Sequence, residues 1–186
     1  MSPVGDEAAR DGIRTLLMSD THLPLRAKDL PAALWEEVDR ADLVVHAGDW
    51  VDVATLARLQ ARSRRLLACW GNNDGDDLRA RLPEVARATV GGVRMAVVHE
   101  TGGKAGREQR MRATYPDIDL LVFGHSHIPW DTTYSGLRLL NPGSPTDRRQ
   151  QPNCTWMTCL LADGAVHDVV VHRLPRPQAG ASANRR

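Results

Sequence analysis

The chain contains 186 residues, of which 42% are hydrophobic and 25% are charged, and its formal net charge is +1 at pH 7. This length suits a single domain with one hydrophobic core, and the near-neutral charge excludes the broad basic field of a general nucleic-acid binder. No apolar stretch approaches the roughly 18 residues that a membrane-spanning helix requires.

The cysteines and the first residues indicate a cytoplasmic protein. Three cysteines without regular spacing argue against the disulfide framework of a secreted protein. Residues 1–12 lack the basic and then apolar pattern of a secretory signal. Because residues 1–12 and 175–186 are polar and contain small side chains, we expect flexible tails there, around a single domain at residues 13–174.

The first half of this domain predicts strands that alternate with helices. Apolar runs predict strands at residues 13–18, 43–47 and 66–70. A helix is expected at residues 29–40, with Pro31 in its first turn, and another at residues 51–62, where apolar residues recur at helical spacing. This order favours parallel strands joined by crossover helices.

The second half predicts mostly antiparallel strands. Two apolar runs flank Gly91 and Gly92 and predict a hairpin at residues 85–98. A helix is expected within residues 101–115 and a strand at residues 120–123, and hairpins are expected around residues 134–137 and within residues 155–171. The fold class is therefore α/β, with a mixed sheet or two packed sheets.

Side chains that bind metals follow five of the predicted strands. They are Asp20 and His22, Asp49, Asn72, His99, and His125 and His127. In open α/β sheets ligands bind beyond the carboxyl ends of the strands, so we expect these groups to converge. Imidazole, carboxylate and amide oxygen suit zinc, iron or manganese. Seven ligands are too many for one ion with open positions, and they suit two ions about 3.5–4 Å apart that share a carboxylate.

The spacing of these residues resembles a known family. The motifs are Asp20-x-His22, Gly48-Asp49, Gly71-Asn72-x-Asp74, His99, Gly124-His125-x-His127 and Asn141-Pro142-Gly143-Ser144. In this order they resemble the calcineurin-like metallophosphoesterases, and most closely their small bacterial and archaeal phosphodiesterase branch, which is also similar to a retromer subunit. The resemblance implies a two-sheet αββα sandwich.

The resemblance also implies a ligand set and a reaction. One ion would be held by Asp20, His22, Asp49 and His127, and the other by Asp49, Asn72, His99 and His125, with Asp49 as the bridge. The expected cofactor is two divalent ions per chain, with manganese first and iron, zinc, nickel or cobalt as alternatives. A hydroxide shared by the two ions would attack phosphorus in line.

The third motif supplies the other predicted catalytic residues. Besides Asp49 and Asn72 these are Asn73 and Asp74. Asn73 stands where many relatives have a histidine, and an amide is no general acid, so we expect leaving groups that depart as anions. Asp74 either orients a neighbouring ligand or caps the following helix.

Substrate contacts are predicted at Asn73, Trp50, Trp130 and Arg107. Trp50 follows Asp49 directly and Trp130 lies near the last histidine motif, so either ring is a candidate to stack on an aryl group or a nucleobase. Core packing is the alternative for both. Arg107 is a candidate for binding substrate charge, with solvated surface as its alternative.

The sequence thus predicts a dinuclear metal-dependent phosphoesterase, more a phosphodiesterase than a monoesterase. Its partner would be a small phosphoester of aryl or nucleotide-like character, and membranes or nucleic acid are not expected. A homo-oligomer is left open. The alternative is a metal-binding scaffold of the same fold that binds proteins without catalysis. Retention of all seven ligands favours the enzyme.

Overall fold

Two five-stranded sheets form the framework of residues 11–174, the part of the chain that the computed structural model describes. In chain order the elements are β1 (Ile13–Met18), α1 (Ala32–Arg40), β2 (Leu43–Ala47), α2 (Val53–Arg62), β3 (Leu66–Cys69), α3 (Asp76–Arg79), β4 (Ala86–Val90), β5 (Val93–Val97), α4 (Arg107–Thr114), β6 (Leu120–Val122), β7 (Trp130–Tyr134), β8 (Leu137–Asn141), β9 (Cys154–Ala162) and β10 (Ala165–Leu174). The predicted tails at residues 1–12 and 175–186 lie outside the described residues, apart from Asp11 and Gly12.

The first sheet has the order β10-β9-β1-β2-β3. Its β1, β2 and β3 are parallel, as the alternation of strands and helices predicts. Val45 of β2 lies opposite Leu17 on one side and Leu67 on the other. Strands of this kind are apolar on both faces because other layers cover both.

The first two helices begin later than predicted, and the residues before them explain why. Pro31 is the N-cap of α1, with φ −54° and ψ 141°, so the helix begins at Ala32 instead of residue 29. The side chain of Asp52 accepts a hydrogen bond from the backbone N–H of Thr55, 2.7 Å away, so α2 begins at Val53 instead of residue 51. An N-cap aspartate satisfies a donor that the first turn leaves free.

The second sheet has the order β4-β5-β6-β8-β7, and β5, β6 and β8 run parallel within it. Three hairpins turn through pairs of residues with positive φ: Gly91–Gly92 at 57° and 79°, Ser135–Gly136 at 46° and 79°, and Asp163–Gly164 at 52° and 73°. Two such residues in a row define the turn that matches strand twist. The last hairpin, β9–β10, joins the first sheet through β1.

Hydrophobic clusters show that the elements form four layers. Leu34 of α1 packs with Val44 on the outer face of the first sheet. Val45 and Val122 belong to the cluster between the two sheets, and Met111 of α4 belongs to the cluster outside the second sheet. The expected two-sheet αββα sandwich is confirmed. No helix among residues 11–174 is long and apolar enough to span a membrane.

Candidate metal centre

The seven predicted ligands follow strands of both sheets. Asp20 and His22 come after β1, Asp49 after β2, Asn72 after β3, His99 after β5, and His125 and His127 after β6. The first four belong to connections of the first sheet and the last three to connections of the second. The structure brings all seven side chains together in two adjoining groups.

Many of these residues have an unusual backbone conformation. Ten non-glycine residues of the described chain have positive φ, and five of them are predicted ligands: Asp20 (56°), His22 (44°), Asp49 (62°), His125 (69°) and His127 (58°). Residues other than glycine adopt this left-handed backbone conformation at a cost of roughly 1–2 kcal/mol each. Strain of this kind persists where the surrounding structure enforces it, and it concentrates at functional sites.

The first group consists of Asp20, His22, Asp49 and His127. The Nε2 of His127 lies 3.2 Å from Oδ1 of Asp20 and 3.2 Å from Nε2 of His22. The Nε2 of His22 lies 3.5 Å from Oδ2 of Asp49. Two ring nitrogens and two carboxylates therefore face one small volume.

The second group consists of Asp49, Asn72, His99 and His125. The Nε2 of His99 lies 3.3 Å from Oδ2 of Asp49 and 3.0 Å from Oδ1 of Asn72. The Nδ1 of His125 lies 2.9 Å from the same Asn72 oxygen. Asp49 Oδ2 thus borders both groups, as expected of a bridging carboxylate.

Asp20 also lies between the groups. Candidate ligand atoms of Asp20, His22 and His127 lie within 4.8 Å of one another, and so do those of Asp20, Asp49 and His99. Two carboxylates, and not Asp49 alone, therefore separate the histidines of the first group from His99.

The hydrogen bonds of two rings fit metal binding. The Nδ1 of His99 lies 2.7 Å from the carbonyl oxygen of Ala47, and the Nδ1 of His127 lies beside the carbonyl oxygen of Asp147. A carbonyl only accepts, so each Nδ1–H donates, and in the neutral ring each Nε2 turns its lone pair towards the site. Nitrogen, carboxylate and amide donors of this kind suit divalent ions such as manganese, iron or zinc.

Burial and charge set the protonation of the site. Burial alone would raise the pKa of Asp49, but hydrogen bonds from His99 and Asn73 lower it far below its usual value. Burial opposes charge on His99, yet Asp49 and Asp20 raise the pKa of His99 to about 8. Burial lowers the pKa of His22. The side chains of Asp20 and Asp49 are fully buried. Buried carboxylates are stabilised by nearby positive charge, which divalent ions would supply.

Comparison with known proteins agrees with this geometry. The family described as “Calcineurin-like phosphoesterase superfamily domain” matches residues 13–164. The chain belongs to the calcineurin-like phosphoesterase superfamily. A “Probable metallophosphoesterase” of Methanocaldococcus jannaschii is 34% identical over 131 residues, which cover 70% of this chain and 67% of that protein. Another, of Methanothermobacter thermautotrophicus, is 30% identical over 168 residues, which cover 87% of this chain and 92% of that protein.

Solved structures share the fold of this phosphoesterase domain. A solution NMR structure of a Thermotoga maritima protein is 30% identical, has a TM-score of 0.69, and is matched over 87% of this chain and 99% of that chain. Vps29 from Entamoeba histolytica, in complex with zinc, is 20% identical, has a TM-score of 0.67 and is matched over the same shares. At that identity the second likeness concerns the fold alone.

Asp74 holds two connections of the phosphoesterase domain that carry candidate ligands. Its Oδ1 accepts the backbone N–H of Trp50 and of Val51, both at 2.8 Å. Its Oδ2 accepts those of Asp49 at 3.1 Å and Gly71 at 2.7 Å. Of the two roles considered for Asp74, helix capping is wrong, because the N-cap of α3 is the following glycine, without a side-chain hydrogen bond.

Asn73 is tied to the candidate bridge. Its backbone N–H donates to Oδ1 of Asp49 at 2.9 Å, and its Nδ2 donates to Oδ2 of Asp49 at 2.6 Å. Asn73 is exposed, and its contact with substrate stays a prediction. The structure places it on the carboxylate that both groups share.

Trp50 is not available to a substrate. Its side chain is fully buried and stacks on His46, with ring centroids 3.5 Å apart and planes inclined by 18°. Its Nε1 donates to the carbonyl oxygen of Cys69 at 2.9 Å. The predicted substrate contact at Trp50 is therefore wrong, and the core-packing alternative holds.

Arg107 and Trp130 pack together away from the ligands. The guanidinium carbon of Arg107 lies 4.9 Å from the ring centroid of Trp130 and 4.9 Å from that of Phe123. Arg107 is only 7% exposed, so the solvated-surface alternative for it is wrong. Among residues 11–174, no hydrogen bond, ion pair or ring contact joins either residue to a ligand of the centre, and their contact with substrate stays a prediction.

Two further features of the site were missed from the sequence. Ser19 Oγ donates to Oδ2 of Asp20 at 2.6 Å, and Ser144 Oγ donates to the backbone oxygen of Asp20 at 2.7 Å. Ser144 ends the Asn141-Pro142-Gly143-Ser144 motif at the end of β8, and this motif was the sequence signal for its role. Trp70 lines a cavity beside Asn72 and His99, and it also packs against the hydrophobic cluster outside the first sheet.

Proposed function

We propose that this protein is a phosphodiesterase that acts with two divalent metal ions. The observation that carries the proposal is the position of Asp49. Its Oδ2 lies 3.5 Å from Nε2 of His22 and 3.3 Å from Nε2 of His99, so one oxygen borders both groups of ligands. A shared carboxylate between two sets of donors is the arrangement of two-metal hydrolytic centres.

The side chains would hold the ions and keep them in place. Two divalent ions, when bound, supply Lewis acidity towards water and towards the phosphoryl oxygens. Asp49 spans the groups, while the carbonyl oxygens of Ala47 and Asp147 fix the rings of His99 and His127. Asp74 fixes the backbone on either side of Asp49 and so limits how far this carboxylate moves.

A diester fits the surroundings of the centre better than a monoester. The carboxylate of Glu100 is exposed, and its Oε1 lies 3.6 Å from Nδ1 of His125. A phosphomonoester carries up to two negative charges and a diester one, so a neighbouring carboxylate repels the monoester more.

We also propose that the enzyme prefers leaving groups that depart as anions. The amide of Asn73 has no titratable proton and already donates to Asp49. A leaving alkoxide of high basicity therefore finds no acid at this position, whereas an aryloxide needs none.

A non-catalytic scaffold is the second candidate. Leu25 is 73% exposed and Ile128 is 44% exposed, and they follow the ligands His22 and His127 closely in the chain. Exposed apolar side chains that follow candidate ligands in the chain suit contact with another protein.

The deciding experiment combines metal content with turnover. Protein stripped with a chelator is reloaded with manganese, zinc or iron, and its hydrolysis of bis(4-nitrophenyl) phosphate and of 4-nitrophenyl phosphate is measured. We expect two ions per chain, turnover restored by metal, and a higher rate on the diester. Two bound ions without turnover of any ester would favour the scaffold.

The variant Asp49→Asn tests the bridge. We expect it to lose activity and to bind both ions more weakly, because an amide carries no charge to share. Asp163→Asn is a matched control, since Asp163 also has positive φ, 52° against 62° for Asp49, but lies in a distant hairpin turn. Full activity in Asp49→Asn would refute the bridging role.

A further inference from the structure

A cavity of about 300 Å³ opens directly beside the candidate metal centre. Asn72 and His99, both predicted ligands, line one part of it. Its other walls include Trp70, Tyr115 and three charged side chains described below. The volume lies at the lower end of small-molecule sites, so it suits one ring system and not an oligomer.

A fixed guanidinium gives this cavity a flat wall. The guanidinium carbon of Arg79 lies 4.2 Å from the ring centroid of Trp70. Nε of Arg79 donates to the backbone oxygen of Asp74 at 2.7 Å, and Nη2 donates to that of Asn72 at 3.4 Å. These bonds hold the planar group on the tryptophan. Tyr115, only 9% exposed, adds a second aromatic side chain.

Two carboxylates give the cavity acceptors for hydrogen bonds. Glu84 and Glu100 both line it, and both are exposed to solvent. Within the described part of the chain Glu84 has no hydrogen bond or ion pair, so its oxygens are available to a ligand. Glu100 lies at the side of His125, 3.6 Å from its Nδ1. The two negative charges favour a ligand that donates and disfavour one that is anionic.

We propose that this cavity binds the organic substituent that is esterified to phosphorus in the substrate. This substituent is a planar aryl or heteroaryl ring bearing N–H donors, as in an amino-substituted nucleobase. The proposal rests on the proposed function, which places phosphorus beside Asn72 and His99. A ring that enters from there meets the planar surface of Arg79 on Trp70, and its donors meet Glu84 or Glu100. Flat rings stack favourably on guanidinium and aromatic groups. Trp70 and Tyr115 thus take the role that the sequence suggested for other tryptophans.

The test uses phosphonate monomethyl esters, which carry one negative charge as a diester does, and whose carbon–phosphorus bond to the ring is not hydrolysed as an ester would be. Calorimetry of the metal-loaded protein compares the monomethyl esters of methylphosphonate, phenylphosphonate, 4-aminophenylphosphonate and 4-carboxyphenylphosphonate. We expect phenyl to bind roughly tenfold more tightly than methyl, and the amino group to add roughly threefold. Equal affinities, no binding of any phosphonate, or tighter binding of the carboxy compound than of the amino compound would overturn the proposal.

Variants assign the preference to this cavity. Glu84→Gln should remove the advantage of the amino group and keep that of phenyl over methyl, whereas Glu36→Gln, on the exposed side of α1, should change neither. Val85→Phe fills the cavity and should abolish the phenyl advantage while the methylphosphonate ester binds as before. If both variants keep the wild-type order, the ring binds elsewhere and the proposal fails.

Failure of the proposed function would be a separate result. A wild-type protein that turns over no diester but still ranks the phosphonates in the expected order refutes the phosphodiesterase and leaves the aryl site standing. A protein that turns over diesters but binds all the phosphonates with equal affinity would support the phosphodiesterase and refute the aryl site.

Discussion

Replacing Asp74 with asparagine is expected to weaken the fold and the metal centre together. The carboxylate accepts four backbone N–H groups at 2.7–3.1 Å and is 3% exposed. Two of these donors meet each oxygen. The amide of asparagine has one oxygen and one NH₂ group. In either orientation of this amide, two of the four backbone N–H groups would therefore face the NH₂ group, which is a donor, and would lose their acceptor.

The size of the effect follows from those two groups. A buried donor without an acceptor costs about 1–3 kcal/mol, so the free energy of unfolding should fall by about 4 kcal/mol. For a chain of this size Tm changes by about 2–4 °C per kcal/mol, which gives a decrease of roughly 8–16 °C. Metal affinity should fall by about 10–100-fold, as for other residues that orient a ligand, because the backbone of Asp49 loses its support.

The assay is thermal unfolding of the metal-free and the metal-loaded protein, followed by circular dichroism, together with a metal titration. Asp77→Asn, on the exposed first turn of α3, is the control and should cost only about 0.5 kcal/mol. If Asp74→Asn and Asp77→Asn unfold at the same temperature, the four hydrogen bonds do not carry the stability assigned to them.

Three further predictions concern other residues of the site. Burial opposes charge on His99, but Asp49 raises the pKa of His99 to about 8. Protonation of His99 therefore stabilises the metal-free fold, fully below about pH 6.5, and this stabilisation is lost as the pH rises through 8. The same proton competes with metal for the ring nitrogen. Metal affinity should therefore rise about tenfold per pH unit up to about 8 and then level off; a flat profile would contradict this. Trp50→Ala should lower the free energy of unfolding in urea by about 3–5 kcal/mol, and by more than Trp50→Phe does, because the ring is fully buried and its Nε1 donates to the carbonyl oxygen of Cys69. An unchanged urea midpoint would contradict this prediction. Asn73→His should raise the rate on alkyl diesters relative to aryl diesters by up to about 100-fold, and an unchanged ratio would remove the proposed role of the missing acid.

The convergence of the candidate ligands was readable from the sequence because parallel strands deliver their carboxyl ends to one place. Each polar group after an apolar run, such as Asp49 after β2, is carried to the same edge of the sandwich. Turn chemistry was equally local, since Gly91–Gly92 fixes a hairpin by itself.

Side-chain direction was not readable. Trp50 is adjacent to a candidate ligand in the chain, yet its ring turns into the core against His46, whereas Trp70, two residues before another candidate ligand, lines a cavity. Neighbours in sequence point in different directions, and only the packed layers decide which of them meets solvent. The pairing of β9 with β1 joins residues nearly the whole domain apart, so no local pattern reveals it.

The candidate metal centre takes side chains from both sheets, and this would tie metal uptake to folding. Asp20, Asp49 and Asn72 arrive with one sheet, and His99 and His125 with the other. A folding intermediate that has formed only one sheet would contain only part of the candidate ligand set and would bind metal poorly. Tight metal binding would then be a late event that follows docking of the sheets, and the proposed ions would stabilise the assembled sandwich and slow its unfolding.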